Sequence, residues 1–391
     1  MISLHNVDLI HEGRRRIDIE SGRIISVGPE DVGGTGGLTT HLYCDKCLAF
    51  PGLINSHDHL HFDCFPRMGA RKYSDYVEWG EDIHKANAGE IDAILRIPVP
   101  FRTQWGLYKN LLNGITTVVH HGDYLAVPEP VIEAFQKCNM IHSARQQRHW
   151  RWKLNTPSAR RQPFVVHAGE GTNNRSRREI DSLIRWNMFG REMIAVHGVV
   201  MEEEQAGEFA ALVWCPDSNY FLFDRTADIP RLRRRTTILF GTDSTLTASW
   251  NIWEHLRFAR QLRMMTDEAL FDSVTRAPAG SWRLQGRGRG TLTPGSEADI
   301  VVANRKTAAR GYDAWFEINP SDIALVMKSG SVRLCDEERY RQLQRSGFDC
   351  TALSKVRLDG SAKYVHGDLP GLMAAIKGFA PQVAFPVQGE T

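Results

Sequence analysis

The feature that most constrains this chain is a run of alternating histidines at positions 57, 59 and 61. The run follows a Pro-Gly break and an apolar Leu-Ile pair, which is the pattern of a short strand. Alternate residues of a strand share one face, so His57, His59 and His61 are expected to point the same way. Converging imidazoles are poor core material and good ligands for a borderline divalent metal. A solvated, histidine-rich turn is the alternative, because short motifs recur by chance.

Composition excludes several classes of protein. The 391 residues are 42% hydrophobic and 24% charged, as in ordinary globular proteins, and the net charge of +2 gives no general case for a nucleic-acid partner. No apolar run reaches the roughly 18 residues of a membrane span, and the first residues lack a signal-peptide pattern. Seven scattered cysteines favour reduced thiols. We therefore expect a cytoplasmic protein that binds neither nucleic acid nor membrane, with a homo-oligomer as an open option.

The chain divides into three kinds of sequence. Residues 1–49 and 290–335 consist of short strand patterns separated by tight turns, which predicts one small β-sandwich domain built from both chain ends. Residues 50–289 alternate apolar strands with helical segments, which predicts a second domain inserted between them. Residues 336–391 form a C-terminal extension to which the sequence assigns no function.

Most strands of the inserted domain carry a polar residue at their C-terminal side. Fully apolar strands alternating with helices indicate a buried parallel sheet. In a (β/α)₈ barrel, active-site residues gather at this carboxyl edge. An open doubly wound sheet would place ligands there too, but with a Gly-rich phosphate turn after the first strand, and none is present. The predicted fold class is therefore α/β, a TIM-like (β/α)₈ barrel with an appended β-sandwich.

The residues at the predicted strand ends form one chemical set: His57, His59, His167, Glu170, His197 and Asp243. Three imidazoles and one carboxylate suit a catalytic zinc or iron(II) ion that keeps a position open for water. Such an ion lowers the pKa of bound water to about 7. A further carboxylate near the metal can protonate a leaving nitrogen or a ring nitrogen.

Five segments carry a resemblance to a known family. Pro51-Gly52-Leu53-Ile54-Asn55-Ser56-His57-Asp58-His59-Leu60 resembles the first-strand signature of the amidohydrolase superfamily. Val166-His167-Ala168-Gly169-Glu170 is similar to the His-Ala-Gly-Glu of adenosine deaminases. Residues 214–219, 241–244 and 290–302 resemble the later motifs of the cytosine deaminase and chlorohydrolase-related group. The likeness runs in order from about residue 3 to about residue 335.

The resemblance implies a role for each matching position. His57, His59, His167 and Asp243 match the metal ligands, and Asp243 would also accept a proton from the attacking water. Glu170 matches the residue that passes a proton to the substrate nitrogen. His197 matches the sixth-strand histidine that holds the water or the substrate oxygen. The implied cofactor is one divalent metal, with zinc first and iron or manganese as alternatives. A core histidine at 197 and a helix-capping carboxylate at 170 are the structural alternatives.

The sequence departs from the family pattern after the third predicted strand. Only 18 residues separate Arg145 from Phe164, where a strand and its helix normally lie. Members with two metals carry a carboxylated lysine there, and Lys153 is the one nearby candidate. Its basic, aromatic surroundings do not read as a strand end, and Glu170 favours a single metal. A binuclear site is kept as the alternative.

Further polar and aromatic residues are candidates for the substrate-binding wall. His61, His120, His121 and Asp123 lie at the first two strand ends and would contact the substrate or hydrogen-bond to metal ligands. Trp150, Trp152, Trp250 and Trp253 would wall an aromatic pocket, or lie in the core as most helical tryptophans do. The tentative substrate-binding set is His61, His121 and Trp150.

The leading hypothesis is a metal-dependent hydrolase of a C–N bond other than a peptide bond. The reaction expected is deamination of a small amino-substituted heterocycle by a metal-activated water. A cyclic or linear amide hydrolase of the same superfamily is the second reading. A barrel kept as a non-catalytic binding module is the third, which the loss of a ligand position would support, but all four are present.

Overall fold

The computed structural model describes residues 1–10, 12–30, 39–157 and 162–389. Its strands are, in chain order, β1 (Ile2–Leu9), β2 (Gly13–Glu20), β3 (Arg23–Gly28), β4 (Thr40–Pro51), β5 (Leu53–Asp58), β6 (Ile115–His120), β7 (Glu133–Phe135), β8 (Asn139–Ser143), β9 (Phe164–Ala168), β10 (Met193–His197), β11 (Ala211–Trp214), β12 (Thr237–Phe240), β13 (Ile300–Asn304), β14 (Ile323–Lys328), β15 (Ser331–Asp336), β16 (Leu353–Leu358), β17 (Ser361–His366) and β18 (Val387–Gly389).

The helices lie mostly between the parallel strands. In chain order they are α1 (Tyr76–Ala86), α2 (Ala88–Leu95), α3 (Val99–Leu112), α4 (Trp150–Leu154), α5 (Asn174–Trp186), α6 (Glu203–Ala206), α7 (Pro216–Phe223), α8 (Ile229–Leu232), α9 (Ile252–Gln261), α10 (Asp267–Ser273), α11 (Arg276–Ser281), α12 (Gly311–Phe316), α13 (Glu337–Arg345) and α14 (Leu369–Phe379). Within the described ranges, no helix combines the length and the apolar character needed to cross a bilayer.

Both ends of the chain contribute to one large mixed sheet. Its ten strands follow the order β18-β16-β17-β15-β14-β13-β4-β1-β2-β3. Strand β4 pairs in parallel with β1 and antiparallel with β13, which joins the N-terminal strands to the later ones. This sheet is consistent with the predicted β-sandwich, and residues 353–389, which the sequence left without a role, supply three of its strands. The predicted domain boundaries after residues 49 and 289 stay predictions.

The middle of the chain forms the predicted parallel strands in sequential order. One sheet contains β5-β6-β7 and a second contains β8-β9-β10-β11-β12, with every neighbouring pair parallel. The two sheets are arcs of the barrel arrangement, which confirms the predicted fold class. Among the described strands, however, the hydrogen-bonded ladder does not close into a complete ring.

The barrel is irregular at β7 and β8, before the stretch from Arg145 to Phe164 where the sequence predicted a departure. The described part of that stretch contains the short helix α4. Strands β7 and β8 are joined by residues 136–138 alone, and the described stretch 121–132 before β7 contains no helix. A directly paired parallel couple needs a crossover of about a dozen residues. Accordingly β7 pairs with β6 and β8 pairs with β9, so these two strands, adjacent in the chain, belong to different sheets. The expected full strand-and-helix unit is therefore shortened at this point.

Aromatic packing joins the barrel to the ten-stranded sheet. Trp315 of α12 is fully buried and packs edge-on against Trp253 of α9 at 5.3 Å and against Phe50 of β4 at 6.4 Å between ring centroids. Edge-to-face pairs of this kind add to the free energy gained by removing the rings from water. This cluster holds α9, which follows the last barrel strand, against the strand that enters the first.

Replacing Trp315 by Ala should therefore destabilise the fold. We expect a loss of about 3 to 5 kcal/mol in the free energy of unfolding, because a large buried ring is exchanged for a cavity. Trp152→Ala is the matched control, since Trp152 is 72% exposed, and should change stability by less than about 0.5 kcal/mol. Urea denaturation followed by circular dichroism measures both, and equal midpoints for the two variants would contradict the packing argument.

Candidate metal centre

The predicted ligands meet at the carboxyl edge of the barrel strands. His57 lies in β5 with His59 just beyond it, His167 lies in β9, and Asp243 follows β12. All four side chains are buried, and the most exposed of them, His59, is only 7% exposed. Because parallel strands bring their carboxyl ends to one edge, residues far apart in the sequence become neighbours here.

Their donor atoms converge on one point. His57 Nε2 lies 3.2 Å from His167 Nε2, and both His57 Nε2 and His59 Nε2 lie 3.8 Å from Asp243 Oδ1. The donors form two overlapping groups, each within 4.8 Å: His57 with His167 and His197, and His57 with His59 and Asp243. Four ligands arranged tetrahedrally at zinc-ligand distances lie about 3.4 Å apart. The His57–His167, His57–Asp243 and His59–Asp243 distances are near this value, but neither group contains all four predicted ligands, so one ion held by all four stays a prediction.

Burial sets the charge state of these imidazoles. It lowers the pKa of His57 and of His167 well below the usual histidine range, and the neighbouring imidazoles lower it further. The two rings are therefore neutral at pH 7, and the neutral ring is the form that binds a metal. Without an ion, two buried nitrogen atoms 3.2 Å apart would share one proton at most.

Hydrogen bonds on the far side of each ring fix which nitrogen faces the centre. His167 Nδ1 donates to Glu170 Oε2 at 3.1 Å, which leaves its Nε2 as a lone pair towards His57. His197 Nδ1 donates to Asn219 Oδ1 at 2.9 Å, and the amide of Asn219 is oriented by its own donation to Thr226. The Nε2 atom of His197 is buried without a partner among the described residues. Such outer hydrogen bonds are the usual way in which proteins orient metal-binding histidines.

Asp243 is held in place by hydroxyl groups. Its Oδ2 accepts hydrogen bonds from Ser218 at 2.8 Å and Thr247 at 3.0 Å, while its Oδ1 accepts one from the backbone of Ser244. Burial would raise the pKa of Asp243, but His59, His197 and these hydrogen bonds outweigh it and hold the pKa below the usual range. Asp243 is therefore a carboxylate in the folded protein.

Two of the strand-end residues have strained backbones. His197 and Asp243 have φ angles of 73° and 60°, in the left-handed region, where non-glycine residues cost about 1 kcal/mol or more. Gly241, two residues before Asp243, packs closely on His57, because a Cβ atom at this glycine would lie 2.7 Å from that of His57. Strain of this kind is common where a side chain must be aimed at a functional centre.

Glu170 has the opposite electrostatic character to Asp243. Burial raises its pKa well above the usual glutamate range, and the charges of Asp243, Glu179 and Asp75 raise it further. Its Oε1 lies 3.6 Å from His197 Nε2. A carboxyl group that stays protonated near neutral pH, beside a metal-ligand cluster, can act as a proton donor.

The remaining predicted residues lie at different distances from this cluster. His121 is part of it, with its ring centroid 4.5 Å from that of His167 and 5.0 Å from that of His57. His61 lies one step further out, beside His120 at 5.4 Å and Phe62 at 4.0 Å. Trp150 is buried in α4 under Arg151, and none of the ring contacts among the described residues joins it to the histidines. Lys153, the candidate for a binuclear site, is exposed and donates to Gln147.

The sequence analysis did not single out His142. This histidine lies in β8, 4.4 Å from the ring of His167 and 5.6 Å from that of Tyr76. Burial lowers its pKa to about 3, so it is neutral. The available signal was its position directly after Met140 and Ile141, a short apolar pattern typical of a strand.

A covering segment, residues 66–75, passes over the carboxyl edge. Its backbone forms hydrogen bonds with the segments that follow three barrel strands. Met68 bonds to Leu246 after β12, Tyr73 to Leu222 in α7 after β11, and Ser74 to Thr172 after β9. Beyond this cover, a cavity of about 830 Å³ is lined by Asp63, Thr245, Trp250 and Phe385, among others, but by none of the four predicted ligands. The donor geometry therefore identifies the candidate centre, and the open cavity lies beside it.

Glu179, which contributes to the field at Glu170, gives a test of this electrostatic arrangement. Burial raises the pKa of Glu179 to about 7, so the folded protein binds its proton more tightly than the unfolded chain. Its contribution to stability is therefore complete below pH 4.5 and is lost as the pH rises through 7. Through this group, the wild type should lose up to about 3 kcal/mol in the free energy of unfolding as the pH rises. Glu179→Gln should not show this loss. Urea denaturation at pH 5 and pH 8 measures it, with the exposed Glu204→Gln as control. An unchanged difference between the two pH values would contradict it.

Comparison with solved structures shows which known proteins share this fold. An adenosine deaminase from Xanthomonas campestris with bound zinc has a TM-score of 0.69 and 15% identity, covering 88% of this chain and 96% of its own. The zinc-containing atrazine chlorohydrolase TrzN from Arthrobacter aurescens TC1 has a TM-score of 0.66 and 18% identity, covering 89% and 99%. N-isopropylammelide isopropylaminohydrolase from Burkholderia multivorans has a TM-score of 0.59 and 17% identity, covering 85% and 97%.

The likeness lies in the structure. By sequence, no protein-family model matches the chain, and no curated protein does. The solved structures that it resembles nevertheless cover nearly their whole length, so the similarity includes both the barrel and the appended sheet. Two of the three contain zinc. The chain therefore shares the fold of these enzymes.

Proposed function

We propose that this protein is a metal-dependent hydrolase that deaminates an amino-substituted heterocycle. The observation that carries the proposal is the pairing of two buried carboxyl groups beside the imidazole cluster. Asp243 has a lowered pKa and Glu170 a raised one. Groups whose environments separate their pKa values in this way are suited to opposite roles in acid–base chemistry.

The ion would be held by His57, His59, His167 and Asp243. Zinc is favoured because it accepts this mixture of imidazoles and one carboxylate and leaves a position for water. The zinc-containing structures of similar fold support the same choice. When bound, the ion would lower the pKa of a coordinated water to about 7 and so supply a nucleophile at neutral pH.

Glu170 would carry the proton that the reaction needs. Its Oε2 is occupied by the N–H of His167, so Oε1 is the oxygen left to hold a proton towards the cluster. Donation from Oε1 to a ring nitrogen makes the neighbouring carbon more electrophilic, and water then adds to that carbon. The exocyclic amine then leaves as ammonia with the proton that Asp243 took from the water, and the proton of the new C–OH group returns to Glu170 as the carbonyl forms. General acid catalysis of this type contributes about 10²- to 10⁴-fold to a rate.

His197, Asp243 and His121 would orient the reactants. The lone pair on His197 Nε2 can accept a hydrogen bond from the attacking water, since its Nδ1–H is committed to Asn219. Asp243 is ionised and can take a proton from the same water. His121 donates its Nε2–H to the carbonyl of Ile141 at 3.1 Å, which leaves Nδ1 as an acceptor for an amine N–H. His61 and His142 are proposed to contact the outer part of the substrate.

The proposal also covers the size of the substrate, the location of the protein and its partners. The substrate is a small molecule, as it is for the enzymes of similar fold. All seven cysteines are free thiols, which supports a cytoplasmic location. The chemistry of the site needs neither nucleic acid nor a membrane.

Replacing Glu170 by Gln tests the proton-donor role. The variant keeps the shape and the acceptor towards His167, so it should retain one zinc per chain by elemental analysis. Turnover should fall by about 10³-fold because the proton donor is lost. Glu204→Gln, at an exposed position, should leave turnover unchanged. Undiminished turnover by Glu170→Gln would remove this residue from the mechanism.

A substrate panel tests the reaction class. Zinc-, iron- and manganese-loaded protein is incubated with aminopurines, aminopyrimidines and amino-triazines, and with cyclic and linear amides. We expect ammonia release from at least one aminated ring. Ring-opened or free carboxylic acids without ammonia would instead establish the amide hydrolase reading, in which Glu170 protonates an amide leaving group. No product from either group, with metal bound, would overturn the hydrolase proposal.

A further inference from the structure

The first and last strands of the barrel meet at a seam without a continuous ladder. Strand β5 carries His57 and leads to His59, while β12 leads to Asp243, yet β5 and β12 belong to different sheets. One backbone hydrogen bond crosses close to the centre, from Asp243 N to His57 O at 3.0 Å. The position of Asp243 relative to the two histidines therefore depends on side chains as well as on backbone pairing.

A buried lysine joins the two sides of this seam. Lys109 of α3 places its Nζ 2.8 Å from Asp58 Oδ2 and 2.8 Å from Asp63 Oδ1, with all three side chains at most 2% exposed. Asp58 stands between His57 and His59 in the sequence. Asp63 Oδ1 also accepts a hydrogen bond from the backbone N–H of Thr245, two residues beyond Asp243. One ammonium group thus links both ligand-bearing segments.

Two asparagines form a second tie across the same seam. Asn110, next to Lys109 on α3, donates to Asp58 Oδ2 at 2.8 Å. Asn55 of β5 donates to Thr242 Oγ1 at 2.8 Å and accepts from the backbone of Thr242 at 3.1 Å. These groups are fully buried or nearly so. The network therefore runs from helix α3, through β5, to the residue before Asp243.

Stability alone does not explain so many buried charges. Taking an ammonium and two carboxylates out of water is unfavourable, and apolar side chains of similar volume often give an equal or more stable fold. A network of short, directional contacts instead fixes distances between the groups it connects. Its contacts end next to three of the four proposed ligands, which is where fixed distances matter.

We propose that Lys109 is a positioning residue that sets the separation between His57 and His59 on one side and Asp243 on the other, an inference that rests on the proposed metal-dependent function. It contacts no ligand side chain itself and acts through Asp58 and Asp63. Loss of the residues that orient metal ligands typically lowers metal affinity about 10- to 100-fold.

The test uses a variant that removes the network without leaving a buried charge. Lys109→Met combined with Asp58→Asn and Asp63→Asn keeps the side-chain volumes and removes all three charges. We expect zinc affinity, measured by competition with a chromophoric chelator, to fall at least tenfold, while the urea midpoint of the metal-free protein stays unchanged or rises. The visible spectrum of the cobalt(II)-loaded protein should also change, because it reports ligand geometry. Zinc affinity within twofold of wild type, or an unchanged cobalt spectrum, would overturn the proposal.

Lys109→Arg settles the matter if the triple variant does not fold. It keeps the charge and the donors but changes the length and the geometry of the contact. Zinc affinity at least tenfold lower supports positioning by Lys109, and smaller losses overturn it. The matched control is Lys328→Arg, because Lys328 forms a buried pair with Asp299, 3.0 Å away, outside the candidate centre. This control should bind zinc as wild type does.

The same measurements separate the two proposals. If the wild-type protein takes up no zinc, cobalt, iron or manganese in stoichiometric amount, the proposed metal-dependent function fails. If the wild type binds one metal per chain and the Lys109 variants bind it equally well, only the positioning role fails.

Discussion

The removal of imidazoles from water at one sheet edge is the interaction on which the rest of the site depends. Parallel strands bring His57, His167 and His197 together from three separate parts of the chain. Burial then makes their protonation unfavourable, so they are present as neutral imidazoles and not as mutually repelling cations. The neutral ring is the form that the proposed metal site requires.

The same burial has different effects on the two acidic groups. Asp243 keeps its charge because His59, His197 and the hydrogen bonds from Ser218 and Ser244 outweigh the effect of burial on its pKa. Glu170 faces other carboxylates and holds its proton. The place of each carboxyl group on the sheet edge decides its protonation state, because it decides the neighbours of that group. Asp243 follows the last barrel strand, and Glu170 follows the strand that bears His167. Two carboxyl groups with similar intrinsic chemistry thereby have pKa values shifted in opposite directions.

Periodicity and local motifs predicted the parts of this structure that depend on short stretches of chain. The alternating histidines, the His-Ala-Gly-Glu segment and the Gly-Thr-Asp segment each lie at a strand end, where the sequence placed them. The prediction was weaker where long-range packing decides. The sequence analysis missed His142 because β7 and β8 are short. It also missed three strands of the large sheet, because residues 336–391 have a charged, Gly- and Pro-rich composition. Trp150 was chosen for its aromatic surface, but its burial in α4 depends on tertiary contacts that spacing does not encode.

The short segments around β7 and β8 leave one side of the candidate centre without a helix. The covering segment 66–75 is hydrogen-bonded through its backbone to the segments that follow β9, β11 and β12. On the side of β6 and β8, no helix occupies the described stretch 121–132, and the wall there includes His121 and the partly exposed His142. A neutral imidazole offers one donor and one acceptor, which matches a planar ring with amino groups and ring nitrogens. Phosphates and carboxylates are bound best by cationic side chains, so under the proposed function these two imidazoles would suit an uncharged, nitrogen-rich ring better than an anionic one.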